Sequence, residues 1–189
     1  MAQRPGRRGA RVVICIAALL ALAACSTSPT PAIPALPGFD AVAAVAAIRA
    51  AGGADATELD VQPLRDPQVE DLRQQAAALE ASLQYRDAAA ALDGALAINA
   101  TDPALLQERA EIALLLRQLP EAERLAQRAF ATGSKVGPLC RRHWETIAQV
   151  RANQPQAGAQ AQAGTSALAT AAAARRQRDA CTVAAPNRF

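Results

Sequence analysis

The chain has 189 residues and a formal net charge of +3, from 20 basic and 17 acidic side chains; 51% of its residues are hydrophobic but only 3% aromatic. That length suits one compact domain, and a composition rich in alanine and poor in aromatic mass favours close-packed helices over sheet. The positive charge sits at the start: Arg4, Arg7, Arg8 and Arg11 occur with no acid before residue 25, so residues 25–189 carry 16 basic against 17 acidic groups, a net −1. That balance gives no basis for nucleic-acid binding, which needs a basic face.

Behind the arginines, residues 12–24 form an apolar run that stops at Cys25. Such a run is shorter than the about 20 residues a helix needs to cross a bilayer. A basic start and a short apolar core are the secretory arrangement. Leu22-Ala23-Ala24-Cys25 resembles the bacterial lipobox. The resemblance implies that residues 1–24 are a lipoprotein signal peptide, that the Cys25 thiol receives diacylglycerol, and that the mature chain starts there. A twin-arginine route through Arg7-Arg8 is not matched, because Gly9-Ala10-Arg11 lacks hydrophobic residues. Ser26, in place of aspartate, resembles the sorting pattern for the outer membrane. The expected address is therefore the bacterial envelope, with the outer membrane facing the periplasm favoured over the inner. Residues 25–38 contain Pro29, Pro31, Pro34 and Pro37 and read as an extended tether.

Residues 39–66 read as an N-terminal helix and a connector. Phe39, Val42, Val45, Ala46 and Ile48 form one helical stripe that Gly52-Gly53 ends, and this helix is expected to cover the N-terminal side of the repeated helices. Leu59, Val61 and Leu64 alternate as a strand would, but an isolated strand has no sheet to join. Helices are then predicted over about 67–83, 85–99, 102–117 and 119–132, with Asp102 as an N-cap before Pro103. The expected buried set is Leu72, Leu79, Tyr85, Leu92, Ile98, Leu106, Leu115, Leu119, Leu125 and Phe130. A fifth helix is predicted over about 137–152 from the spacing of Leu139, His143, Ile147 and Val150. Residues 153–189 read as an Ala/Gln-rich segment with a final helix over about 166–178.

Within residues 67–152 the chain repeats. A shift of 34 places Leu72 on Leu106, Ala76 on Ala110, Tyr85 on Leu119, Ala88 on Ala122, Leu92 on Ala126 and Ala95 on Ala129. On these residues the chain resembles the tetratricopeptide-repeat family, whose unit is a 34-residue helix-turn-helix. Two good units and half of a third are covered. Gln75 and Arg109 stand where the family is apolar, and Leu72 and Leu106 replace its large aromatic. The resemblance implies an all-α, short solenoid of helical hairpins with flanking capping helices. It also implies that the first helix of each unit lines a concave face that binds a protein or peptide partner. The inward polar positions are then Glu70, Arg73 and Glu80, Gln107 and Glu111, and Arg141 and Glu145, with Arg73, Gln107 and Arg141 as one register row and Ala77, Glu111 and Glu145 as another. They do not reproduce the family pattern that clamps a terminal carboxylate.

Little else points to chemistry. His143 is the one histidine, no nucleophile is arranged with it, and metal-ligand spacings are absent, so a structural or surface role is expected with no cofactor, metal or small-molecule substrate. Trp144 reads as a packing residue. With Cys15 in the signal peptide and Cys25 lipidated, Cys140 and Cys181 remain as a pair for a disulfide in an oxidising periplasm, or as two buried thiols. Arg175, Arg176 and Arg178 suit a helix C-terminus, with anionic lipid head groups or lipopolysaccharide as the rival partner. A non-enzymatic scaffold or adaptor in envelope assembly or secretion is expected. The alternatives are an envelope enzyme acting on peptidoglycan and a structural lipoprotein whose groove is filled by its own terminal segment.

Overall fold

The computed structural model describes residues 38–53, 66–154 and 162–182. The expected signal peptide, Cys25, nearly all of the expected tether and most of the expected connector lie outside the described residues. Regular structure among the described residues is helical throughout: α1 (Ala41–Gly52), α2 (Pro67–Ala81), α3 (Tyr85–Ile98), α4 (Pro103–Leu115), α5 (Leu119–Thr132), α6 (Pro138–Asn153) and α7 (Gln162–Ala180). None of these helices is long and apolar enough to cross a membrane.

The starts follow from local chemistry. Asp40, Asp66 and Asp102 each cap a helix by accepting from orphan backbone N–H groups, of Ala43 at 2.9 Å, Gln68 at 2.8 Å, and Ala104 and Leu105 at 2.8 and 3.1 Å. Pro67 and Pro103 then occupy the first turn, where proline's missing N–H is harmless. The helices pair as hairpins α2/α3, α4/α5 and α6/α7.

The 34-residue period reaches the backbone of the turns. Leu83 and Arg117 both adopt left-handed conformations, with φ of 60° and 59°. The N–H groups of Leu83 and Gln84 donate to Glu80 O and Leu79 O at 2.9 Å, and those of Arg117 and Gln118 donate to Leu114 O and Ala113 O at 2.8 Å. A non-glycine residue at positive φ costs about 1–2 kcal/mol, offset here by satisfying carbonyls that the helix end leaves orphaned.

Between helices the contact residues are small. Ala88, Ala95, Ala110, Ala113, Ala122, Ala126 and Ala129 are fully buried, so backbones approach closely while Leu105, Leu106, Ile112, Leu114 and Leu119 fill the remaining space. The expected core needs correction at its edge. Leu92, Leu106, Leu115, Leu119 and Leu125 are buried, but Leu72, Leu79, Tyr85 and Phe130 are half-buried and Ile98 is 44% exposed. Four of those five lie on α2 and α3, in the first hairpin of the stack, which no described helix covers from outside.

That opening exists because α1 goes elsewhere. The sequence predicts an N-terminal cover, whereas α1 lies across α6 and α4. Phe39, Ala41, Ala44, Val45 and Ile48 are its buried side chains. Its last helix-turn reaches the start of α6, where a Cβ added at Gly52 would come within 2.8 Å of the Arg142 side chain. Its first residues meet the end of α4, where Arg117 donates to Phe39 O at 2.7 Å. It therefore runs antiparallel to both helices.

The last helix is longer than predicted, starting at Gln162 rather than near 166, and it serves α6 as α3 serves α2. Cys140 and Cys181 are bonded, with Cα atoms 5.8 Å apart. Gly137, at φ 89°, turns its N–H onto Cys181 O at 2.8 Å, closing the same end.

Candidate interaction groove

The inner side of the stack is built by α2, α4 and α6. On α2, Arg73 donates to Glu70 at 2.8 Å and reaches across to α4, where Glu108 accepts from its Nε at 2.9 Å and from its Nη2. The hydrogen bonds to Glu108, against the opposing effect of burial, hold the Arg73 guanidinium above its ordinary pKa. On α4, Gln107 donates to Glu111 at 2.9 Å and to the Thr146 hydroxyl of α6 at 2.8 Å. Glu111 also accepts from Arg142 of α6, at 3.1 and 2.5 Å, and from Arg49 of α1, at 2.9 Å. Arg49 donates as well to Glu80 of α2, at 2.8 and 3.0 Å. One arginine of α1 thus ties two of the three inner helices together.

The seven residues expected to face a partner divide into three groups. Glu70, Arg73 and Glu80 are partly exposed and line, with Glu108 and Arg49, a cavity of about 850 Å³ between α2, α4 and the start of α6. Gln107, Glu111 and Arg141 are buried; Glu111 and Arg141 are held by α1, Arg141 donating to Ala51 O at 3.0 Å and Gly52 O at 3.4 Å. Glu145 departs from its expected place: only 4% exposed, it accepts from Arg178 of α7 at 2.7 Å, because the third hairpin's second helix covers that side of α6. Sequence reasoning missed Arg49, Glu108 and Arg142. Arg49 carried a signal, being the one charged residue inside an otherwise apolar α1.

His143 lies at the back of this network, fully buried. Gln107 uses its amide N–H groups on Glu111 and Thr146, so its oxygen accepts from His143 Nδ1–H at 2.8 Å, which fixes the tautomer. Among the described residues, Nε2 meets no hydrogen-bond partner. Burial first, then the charges of Arg142 and Lys135, push the imidazole down to a pKa of about 3 from 6.5. Below pH 6.5 the unfolded chain takes up a proton that the native chain refuses, so stability is full above 6.5 and falls with pH through the window down to about 3. At pH 5 the loss attributable to this residue is about 2 kcal/mol. Urea unfolding of the parent chain and of His143→Gln at pH 7 and pH 5 checks it: the parent loses more between the two pH values by that amount, and equal losses contradict the assignment.

The remaining candidates have structural neighbours. Trp144 packs edge-on against Phe130, with ring centroids 5.0 Å apart. Arg178 bridges Glu145 and Asp179, while Arg176 is exposed and Arg175 half-buried. Among the described residues, no three His, Cys, Asp or Glu side chains converge as a metal site would need. Compared with known proteins, the chain matches no family model, no curated protein and no solved structure.

Proposed function

We propose that this chain is a lipid-anchored, non-enzymatic interaction module of the bacterial envelope, a tetratricopeptide-like scaffold or adaptor for assembly or secretion. The observation that carries the reading is the cavity of about 850 Å³ between α2, α4 and the start of α6, lined by the partly exposed mixed charges of Glu70, Arg73, Glu80 and Glu108. Lipobox-like residues ending at Cys25 and a proline-rich stretch after it support attachment to a membrane, the outer one favoured by Ser26. A binding reading is supported over peptidoglycan chemistry by the groove's carboxylates Glu108 and Glu111, which are already engaged by guanidinium groups. The structural alternative, a self-filled groove, has one observation in its favour, the seat of α1 on α4 and α6.

The test is made in cells. Radiolabelled palmitate is expected in the parent chain and not in Cys25→Ser; equal label in both removes the anchor. A photo-crosslinker at Gln74, which is exposed beside the cavity, is expected to give a discrete protein adduct that the same group at Ala90 on α3 does not. Adducts from neither position favour the structural alternative.

A further inference from the structure

The surface beneath α1 joins the apolar core to a cluster of charged groups. A charge taken from water carries a desolvation penalty that its partners must offset, which a purely apolar seat would avoid. Here α1 lays small and aliphatic side chains over a seat that includes Glu111, fully buried, Arg141, 3% exposed, and Arg142. A polar face is what α4 and α6 would need if that side also meets water. The tether residues and the connector bracket α1 in sequence, and the 14 residues between Gly52 and Pro67 can span up to about 46 Å when extended, so covalent linkage does not force α1 to stay.

Three of the contacts that hold α1 are also independent of its sequence. Arg117 donates to a backbone carbonyl at its start, that of Phe39, and Arg141 donates to two at its end, those of Ala51 and Gly52. A guanidinium at a helix C-terminus additionally faces the negative end of the macrodipole. Arg49, the apolar stripe, the Phe39 ring 5.7 Å from the Arg117 guanidinium and the close approach at Gly52 depend on which helix is present.

We infer that α1 is an exchangeable occupant of the groove, and that the partner is an amphipathic α-helix of the same form which displaces it. That helix carries small or aliphatic residues at the places of Ala41, Ala44, Val45 and Ile48, an arginine at the place of Arg49, and a glycine three residues later. The arginine answers Glu80 and Glu111, and the glycine lets the helix end pass the Arg142 side chain. This rests on the interaction-module reading and names its partner as a helix rather than an extended peptide.

The experiment uses a fluorescent synthetic peptide of residues 38–53 and the full chain. Ile48→Asp places a charge at a fully buried position of α1 and is expected to vacate the seat. The peptide is expected to bind the Ile48→Asp chain at least tenfold more tightly than the parent chain, in which α1 competes, and a peptide with Arg49→Glu is expected to bind at least tenfold more weakly. No binding to an Ile48→Asp chain that keeps its melting transition overturns the inference. If that variant does not fold, hydrogen exchange of the parent chain decides: α1 amides are expected to exchange at least tenfold faster than those of α4 and α6, and equal protection overturns it. Adducts at Gln74 together with a failed peptide test leave the interaction module standing and remove only the exchangeable helix.

Discussion

Glu111→Ala is expected to destabilise the chain by roughly 3–5 kcal/mol, the cost of breaking a buried ion pair by removing one partner. The carboxylate is fully buried and takes donors from three side chains, Arg49, Arg142 and Gln107. Arg49, 48% exposed, can turn to Glu80 and to water, so it loses little. Arg142 is only 25% exposed and the Gln107 amide is fully buried, so these two carry the penalty as unpaired donors. The contrast variant is Glu111→Leu with Arg49→Met and Arg142→Met. It removes the charges together and is expected to recover most of the loss, because a buried ion cluster is often no more stable than apolar groups of its volume. Urea denaturation measures both, and a loss below about 1 kcal/mol for Glu111→Ala would mean that water reaches the site freely.

The parts of this fold that were legible are those written in local chemistry. An aspartate before a proline at 102–103, small residues recurring every 34 positions and the glycines at 52–53 each act within a few residues of where they stand, so helix starts, hairpin order and the period could be read. The turn conformation was not legible although it repeats just as strictly, since neither Leu83 nor Arg117 belongs to a residue type that advertises positive φ. The seat of α1 was beyond reach for a different reason. It depends on contacts between residues 62, 78 and 90 positions apart, which no local pattern encodes.

For the candidate site, the period put Arg73, Gln107 and Arg141 in one register row, yet polarity alone could not say whether that row is open or covered. Exposed and covered polar faces have the same composition; they differ in whether a matching charge exists elsewhere. Arg49 was that charge, alone in α1, just as Arg178 was the partner that drew Glu145 toward α7. A lone charge on an apolar helix is thus informative about a distant carboxylate, whereas a charge among others is not.

The chain with Cys140→Ala and Cys181→Ala is expected to lose about 4 kcal/mol, the chain-entropy cost of opening a loop of 41 residues. Where the bridge sits decides how the loss shows itself. Cys140 lies in the first turn of α6 and Cys181 just past the end of α7, so the bond closes the third hairpin at the end opposite its connecting segment, beside the Gly137 N–H bond to Cys181 O. Without it, α7 is retained by its alanine contacts, Ala171 and Ala174, and by the Arg178–Glu145 pair, 2.7 Å apart, of which Arg178 is partly exposed and worth little in water. Glu145 would then be covered by a helix free to fray. Hydrogen exchange should accordingly show α7 losing protection before α4 and α5 do, and the urea midpoint should fall in the double variant as it does in the parent chain unfolded and refolded under reductant. Free-thiol labelling of denatured, unreduced parent chain is the control, with no label expected at either cysteine. A double variant with an unchanged midpoint and an unchanged α7 would mean that the helix is held by packing alone, and would remove the bridge from the account of how the third hairpin is completed.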